Sequence, residues 1–424
     1  MRSISTSALI SIFIILIIIA GVAGYFAGSA AVPPPTTVTT TVTTTVTGAP
    51  GAPVTVTTTI TKTETKTVTA APTAIEWPTK TIKIIVGWAA GGTSDTSTRA
   101  LAAALEKYLG VRIVVTNVLG ALGSVGAKEV LMAPPDGYTW FGGASVHGTW
   151  PVLGFGDISW TDFYPFIAFV SPTAIYVRAD SPWKDLKDLL EDIRAHPGKY
   201  KYGSPGPGSN GQIFAELVLK AAGLKGAATH IPYKGGREAG TKLLAGEVDF
   251  ASVTMGDLLD YAKAGKLRIL AVLWHEDLHI EGYPYNPAPS IKRYFPELLA
   301  YTGINPAYGI YVPRKTPPEI ISKIAISFIK AVKEDVIWKV AQERGLVPYL
   351  CLGVAADMLM SKVESARSWP LWELGIAKVN PATLGIPKPE EWKWPPHDRA
   401  KETEEKYPWP KEWADFGCMK YAPG

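Results

Sequence analysis

Cysteine is almost missing from this chain: two residues, Cys351 and Cys418, stand among 424. That excludes a metal framework of cysteine pairs and a disulfide-dense scaffold. Charge of one sign is lacking too. The formal net charge of +4 is small for the length and the basic residues are scattered, so there is no electrostatic footprint for nucleic acid. No Asn-x-Ser/Thr glycosylation acceptor occurs, and the phosphate-binding loop with its lysine is absent. What is present is apolar residues, 47% of the chain, enough for substantial cores in two or three domains.

The N-terminus points to export. Arg2 precedes an uncharged run over residues 3–61, and its apolar part, residues 8–31, is long enough to span a bilayer as a helix, leaving residues 1–7 as a short cytoplasmic end. A cleaved signal peptide is the competing reading, with Gly28-Ser29-Ala30 as the small-residue site. Residues 32–76 then form a Thr-rich stalk: 18 of the 34 residues 36–69 are threonine. With few large apolar groups it is expected to be an extended tether. Pairing of its Thr/Val alternation into strands is the alternative. The folded part is thus expected at the outer face of the cell membrane, or secreted if the segment is cleaved.

Residues 84–99 carry the strongest functional signal. A buried-strand pattern runs into Gly91-Gly92 and then opens a helix, the geometry of an anion site: glycine admits close backbone approach, and the first N–H groups of a helix favour negative charge. Residues 202–211 repeat the device before an apolar-periodic helix over 212–222. Two helix N-termini are therefore expected to face one crevice from two lobes.

Strand and helix patterns alternate along the chain. Strands are expected at 81–86, 111–116 and 139–142, with a helix over 94–109 whose buried face is Ala100, Leu101, Ala104, Leu105 and Tyr108. Strands at 167–170 and 174–177 and a helix over 183–196 follow. The rhythm restarts with strands at 201–203, 229–231, 248–253 and 267–273, separated by helices at 212–222, 237–245 and 257–264. Residues 281–306 read as a surface loop, 308–312 as a strand, and 319–333 and 354–369 as helices. Such alternation predicts an α/β fold with mostly parallel sheets and a site in the cleft between two units. After Lys378 periodicity disappears, and the tail mixes proline with Trp392, Trp394, Trp409 and Trp413.

Several strings then occur in register: Gly91-Gly92-x-x-Asp95-x-x-x-Arg99, Asn117-x-x-Gly120-Ala121-x-Gly123-x-x-Gly126-Ala127, Pro135-Asp136-Gly137-Tyr138-Thr139, Tyr202-Gly203-Ser204-x-Gly206-x-Gly208-Ser209, Pro232-Tyr233-Lys234-Gly235-Gly236 and Gly265-Lys266-Leu267-Arg268. Over about residues 77–377 the chain closely resembles the substrate-binding proteins of tripartite tricarboxylate transporters, the TctC or Bug family. The resemblance implies a two-lobed type II periplasmic-binding-protein fold with a ligand cleft between the lobes: lobe 1 over 77–172, lobe 2 over 173–272, a return to lobe 1 over 273–377, and a Trp/Pro-rich extension over 378–424. It implies capture of a small organic carboxylate for a membrane permease with one large and one small subunit, without catalysis, cofactor or metal. The ligand-binding residues it implies are Ala90, Gly91, Gly92, Thr93 and Asp95, then Ser145, then Ser204, Gly208, Ser209 and Asn210. The long N-terminal segment, the 281–306 loop and the tail depart from the family pattern.

Other readings of these residues remain open. Asp95 sits one turn before Arg99, where an i,i+4 ion pair is natural. His275 and His279 have the i,i+4 spacing that could bind a metal on a helix, but a solvated rim loop is the expected reading. Ser204 and Ser209 lack the Gly-x-Ser-x-Gly elbow of a nucleophile, so hydrogen-bonding roles are expected. Lys234 either steers anions or is an ordinary surface lysine. An extracellular enzyme acting on a carboxylate and a sensory domain without a permease are the alternatives in function. In an oxidising compartment an even cysteine count favours a Cys351–Cys418 disulfide over two free thiols, with the tryptophan-rich tail then packed along lobe 1.

Overall fold

The computed structural model describes residues 42–46, 54–58 and 76–420, in two units, residues 1–74 and 75–424. In the first unit β1 (Val42–Val46) pairs antiparallel with β2 (Val54–Thr58), Val42 opposite Thr58. Over these residues the two strands pair in place of the expected unpaired tether: both residue types are β-branched, and two runs of the same period supply each other's partner. The expected membrane span, residues 8–31, lies outside the described residues. Among the described residues no helix is long and apolar enough to cross a membrane.

The second unit holds two lobes. In the first, the run β3 (Ile82–Val86), buried except at Lys83, leads into α1 (Thr93–Leu109), followed by β4 (Ile113–Asn117), α2 (Ser124–Met132), β5 (Thr139–Ala144), the short α3 (Trp150–Leu153) and β6 (Phe163–Val170). The chain crosses at Ser171-Pro172 into the second lobe: β7 (Thr173–Arg178), α4 (Leu186–Ala195), β8 (Tyr200–Ser204), α5 (Asn210–Ala221), β9 (Ala228–Pro232), α6 (Gly236–Leu244), β10 (Phe250–Thr254), α7 (Met255–Lys263) and β11 (Leu267–Val272). It then returns to lobe 1 with β12 (Ala307–Pro313), α8 (Pro318–Ala331), α9 (Asp335–Arg344), β13 (Val347–Cys351) and α10 (Val354–Glu373). The tail adds α11 (Asp398–Lys406), α12 (Lys411–Ala414) and β14 (Cys418–Lys420).

The lobe 1 sheet has the order β14-β13-β6-β12-β5-β3-β4, and the lobe 2 sheet β11-β7-β10-β8-β9. Both are mixed, not mostly parallel. Only β4-β3-β5 and β10-β8-β9 run parallel, because the strands adjoining the crossovers, such as β12 beside β6 and β7 beside β10, meet antiparallel. One apolar cluster fills lobe 1, and two others fill opposite faces of the lobe 2 sheet, Val177 and Tyr202 on one side, Tyr176 and Ala251 on the other.

Three stretches depart from the sequence expectation. Tyr108 is 39% exposed and donates its hydroxyl to Glu334, since its ring lies at the margin of the apolar face. The 281–306 stretch is not a surface loop: Tyr283, Ala288, Ile291, Leu298 and Ile304 are buried in the lobe 2 clusters, with short 3-10 turns at Ile291–Arg293 and Pro296–Ile304. Isolated apolar residues among prolines give no period, yet each finds a pocket. The tail also acquires structure. Cys351 and Cys418 form a disulfide within the β13–β14 pair. Trp409 is buried, its indole N–H donating to Asp357 Oδ2 at 2.8 Å and its ring edge-on to Tyr164. Trp394 and Trp413 pack partly buried against the lobe 1 core, and the Trp392 indole donates to Ser361 Oγ at 3.1 Å.

One side chain ties the two crossovers together. Asn305 Oδ1 accepts from Thr173 N–H at 2.9 Å, and its Nδ2 donates to the Leu273 carbonyl at 2.8 Å, so the outgoing and returning chains are held side by side where the lobes join.

Candidate ligand cleft

The cleft forms where strands of both sheets end and helices begin. On the lobe 1 side, β3 runs through Trp88 and Ala89 to Gly92, the extended N-cap of α1. On the lobe 2 side, Ser209 caps α5, accepting from the Gln212 N–H at 3.2 Å, Gly235 precedes α6, and Thr254 precedes α7. Trp88, Gly92, Thr93, Ser209, Asn210, Gly235, Gly236, Arg237, Thr254, Asp257 and Tyr308 all line the space between, which measures about 40 Å³. That is the scale of a few water molecules, so the lobes are closed on each other.

Asp257 dominates the polar contacts. Its Oδ1 accepts from the Thr93 N–H at 2.8 Å and from the Thr93 hydroxyl at 2.7 Å, across the cleft. Burial pushes the Asp257 carboxyl above its ordinary value, opposed by the Thr93 hydrogen bonds and the fields of Arg344 and Arg237. Arg237 itself is committed elsewhere: Nη1 reaches the Asp257 carbonyl at 3.2 Å and both Asp260 oxygens at 2.6 and 2.7 Å, and the guanidinium stacks over Tyr261. A second bond between lobes runs from the Tyr308 hydroxyl to Thr254 Oγ1 at 3.1 Å. Asn210 Nδ2 donates to Thr173 Oγ1 at 2.8 Å and to Thr254 Oγ1 at 3.2 Å, leaving its amide oxygen as the group not used there.

Of the residues singled out in the sequence, Gly92, Thr93, Ser209 and Asn210 meet in the cleft. The others do not line it. Ala90 and Gly91 are exposed, and the Gly91 N–H donates to Asp95 Oδ2 at 2.9 Å. Asp95 also accepts from Arg99 Nε at 2.9 Å and Asn117 Nδ2 at 3.0 Å. Desolvation pushes its pKa up, but these three donors more than offset that and hold the carboxyl below its ordinary range. It is a clamp for the loop, the i,i+4 pair that the spacing suggested. Ser145 is fully buried, its Oγ accepting from the Ala307 N–H at 2.9 Å. Gly208, at φ +78°, donates its N–H to Gln212 Oε1 at 2.7 Å.

Ser204 has a partner that no local signal announces. Its Oγ lies 2.7 Å from His230 Nε2 and 3.2 Å from Ser209 Oγ. The His230 ring stacks on Tyr202, and burial pulls its pKa down to about 4. Ser204 is 0% exposed while His230 is only partly buried, so the serine hydroxyl of this pair has no access for a substrate.

The spacing Gly206-x-Gly208-x-x-Gly211 between β8 and α5 also has the form of a dinucleotide fingerprint. However, β9 ends in Ile231-Pro232 with no acidic residue for a ribose hydroxyl. Among the described residues no group of three or more His, Cys, Asp or Glu is placed to hold a metal. Asp277, between His275 and His279, pairs instead with Arg293 and accepts from the Ser290 N–H at 2.9 Å.

Known proteins share this architecture. Residues 97–359 match the model of the tripartite tricarboxylate transporter family receptor, TctC. A UPF0065 protein from the gbd 5′ region of Cupriavidus necator is 31% identical over 311 residues, which cover 72% of this chain and 91% of that protein. A TctC solute-binding protein from Polaromonas, solved without ligand, is 28% identical with a TM-score of 0.52, covering 70% of this chain and 99% of its own. Rpa4515 of R. palustris, solved with adipate, is 26% identical with a TM-score of 0.61, covering 71% and 99%. With the two-lobed fold and the cleft, these matches place the chain in the tripartite tricarboxylate transporter receptor family, TctC, a family of extracytoplasmic solute-binding receptors and not of enzymes.

Proposed function

We propose that the protein captures a small organic carboxylate between its lobes and delivers it to a membrane permease of one large and one small subunit, while tethered to the outer face of the cell membrane by residues 8–31 and the Thr-rich stalk. The observation that carries this is the meeting of helix N-termini at one point: α1 from lobe 1 opposes the starts of α5, α6 and α7 from lobe 2. Such termini stabilise an anion through N–H groups and dipoles. Gly92, Thr93, Ser209 and Asn210 are the residues proposed to touch the ligand, with Ala90, Gly91, Asp95, Ser145, Ser204 and Gly208 shaping the loops that hold them. Adipate in the related Rpa4515 supports a dicarboxylate class.

A thermal-shift screen of di- and tricarboxylates, aromatic acids and acidic amino acids tests the proposal. A ligand at about a hundred times its Kd adds about 2.7 kcal/mol to the folded state, a rise in melting temperature that is easily read. No shift with any carboxylate, or turnover of one, would sink it.

A further inference from the structure

Thr93 and Asp257 are 164 residues apart in sequence and on opposite lobes. The contact between them is of the kind assigned above to a ligand, a carboxylate seated on the N-terminus of α1. Asp257 Oδ1 takes both the N–H and the hydroxyl of Thr93, at 2.8 and 2.7 Å, and the side chain lies against Gly236, the first residue of α6, where a Cβ would meet Asp257 Cγ at 2.6 Å. The carboxylate also stands in the first turn of its own helix, α7. Three helix starts therefore converge on a charge that belongs to the protein. The guanidiniums of Arg237 and Arg344 attract it only through space, for their hydrogen bonds go to the carbonyls of Asp257 and Gly256 and to the Asp260 carboxylate.

A second carboxylate cannot share the same two donors with this one, because like charges at hydrogen-bond range repel. We propose that Asp257 is an internal competitor for the ligand carboxylate: in the ligand-free protein it fills the anion position on α1 and latches the lobes shut, and a ligand reaches Thr93 only after Asp257 has withdrawn. The latch stands on the contact alone, whereas the competition rests on the proposed carboxylate site. When the competent state is a fraction of the population, apparent affinity falls by that fraction, so removing the latch tightens binding.

The test compares the wild type with Asp257→Ala and Thr93→Val as full-length chains. In ligand-free solution scattering the wild type should be compact, Asp257→Ala should show a larger radius of gyration, and Thr93→Val, which keeps the N–H donor and loses the hydroxyl, a smaller rise in the same direction. Equal radii in all three overturn the latch. Calorimetric titration with adipate should give roughly tenfold tighter binding to Asp257→Ala. Equal or weaker binding overturns the competition and makes Asp257 a ligand contact or a structural group. If scattering separates the proteins but no carboxylate binds to either, the latch holds and the proposed carboxylate site falls.

Discussion

Replacing Trp409 by alanine removes the side chain that fastens the tail to lobe 1. The indole is 4% exposed. Its ring meets Tyr164 at 4.9 Å and Phe166 at 5.4 Å, both edge-on, and its N–H supports Asp357, whose Oδ2 also pairs with Arg314 at 2.8 Å. Truncating a buried tryptophan costs about 3–5 kcal/mol, and the lost hydrogen bond to a buried carboxylate lies within the upper part of that range. The disulfide is a second, separate fastener: with its cysteines 67 positions apart in sequence, chain entropy gives it about 4 kcal/mol. Trp409→Ala is therefore expected to lower the melting temperature by roughly 5 °C while the oxidised tail stays attached. Adding a reductant to the variant should then release the tail to trypsin at Lys401, Lys406 and Lys411. Calorimetry and timed proteolysis read both effects. If the variant melts within about 1 °C of the wild type and its reduced tail resists trypsin, the packing described here does not hold the tail.

Two further predictions follow from the buried groups and the cleft. His147 is fully buried, its ring nitrogens unpartnered, and burial holds its pKa at about 3 against 6.5 in the unfolded chain. It is neutral when folded, so its contribution to stability is complete above pH 6.5 and is lost as the pH falls toward 3, by up to about 1.4 kcal/mol per pH unit. In urea titrations across that window His147→Phe should show a shallower acid slope, and an identical slope would refute this. Gly92→Val places a branched side chain where even a Cβ would come to 3.5 Å from Asp257 Oδ1. Affinity for a carboxylate should fall at least about tenfold with the fold intact by circular dichroism, while unchanged affinity would remove this loop from the site.

The sequence made parts of both lobes legible where the signals are local. The buried run of β3, the glycines before α1 and the capped start of α5 each state their structure within a few residues, and their ends fall within one or two residues of expectation. Asp95 and Arg99 likewise announce their pairing by spacing. Asp257 was visible only as the start of a helix, because its partner Thr93 lies on the other lobe and nothing near either residue encodes the meeting. Ser204 and His230 are brought together by adjacent parallel strands in the same way. The helix α9 and strand β13 escaped notice because they are short and half-buried. The lobe 2 packing of residues 281–306 has no period to read.

The outermost strand of the lobe 1 sheet, β14, has three residues, and Cys351 faces Cys418 across its pair with β13. Strand edges present unpaired N–H and C=O groups that template pairing between molecules. Here the chain caps that edge with its own C-terminal segment and locks the cap covalently. With Trp409 packed separately on lobe 1, the disulfide keeps β13 paired within its own chain and closes that edge to a neighbouring molecule.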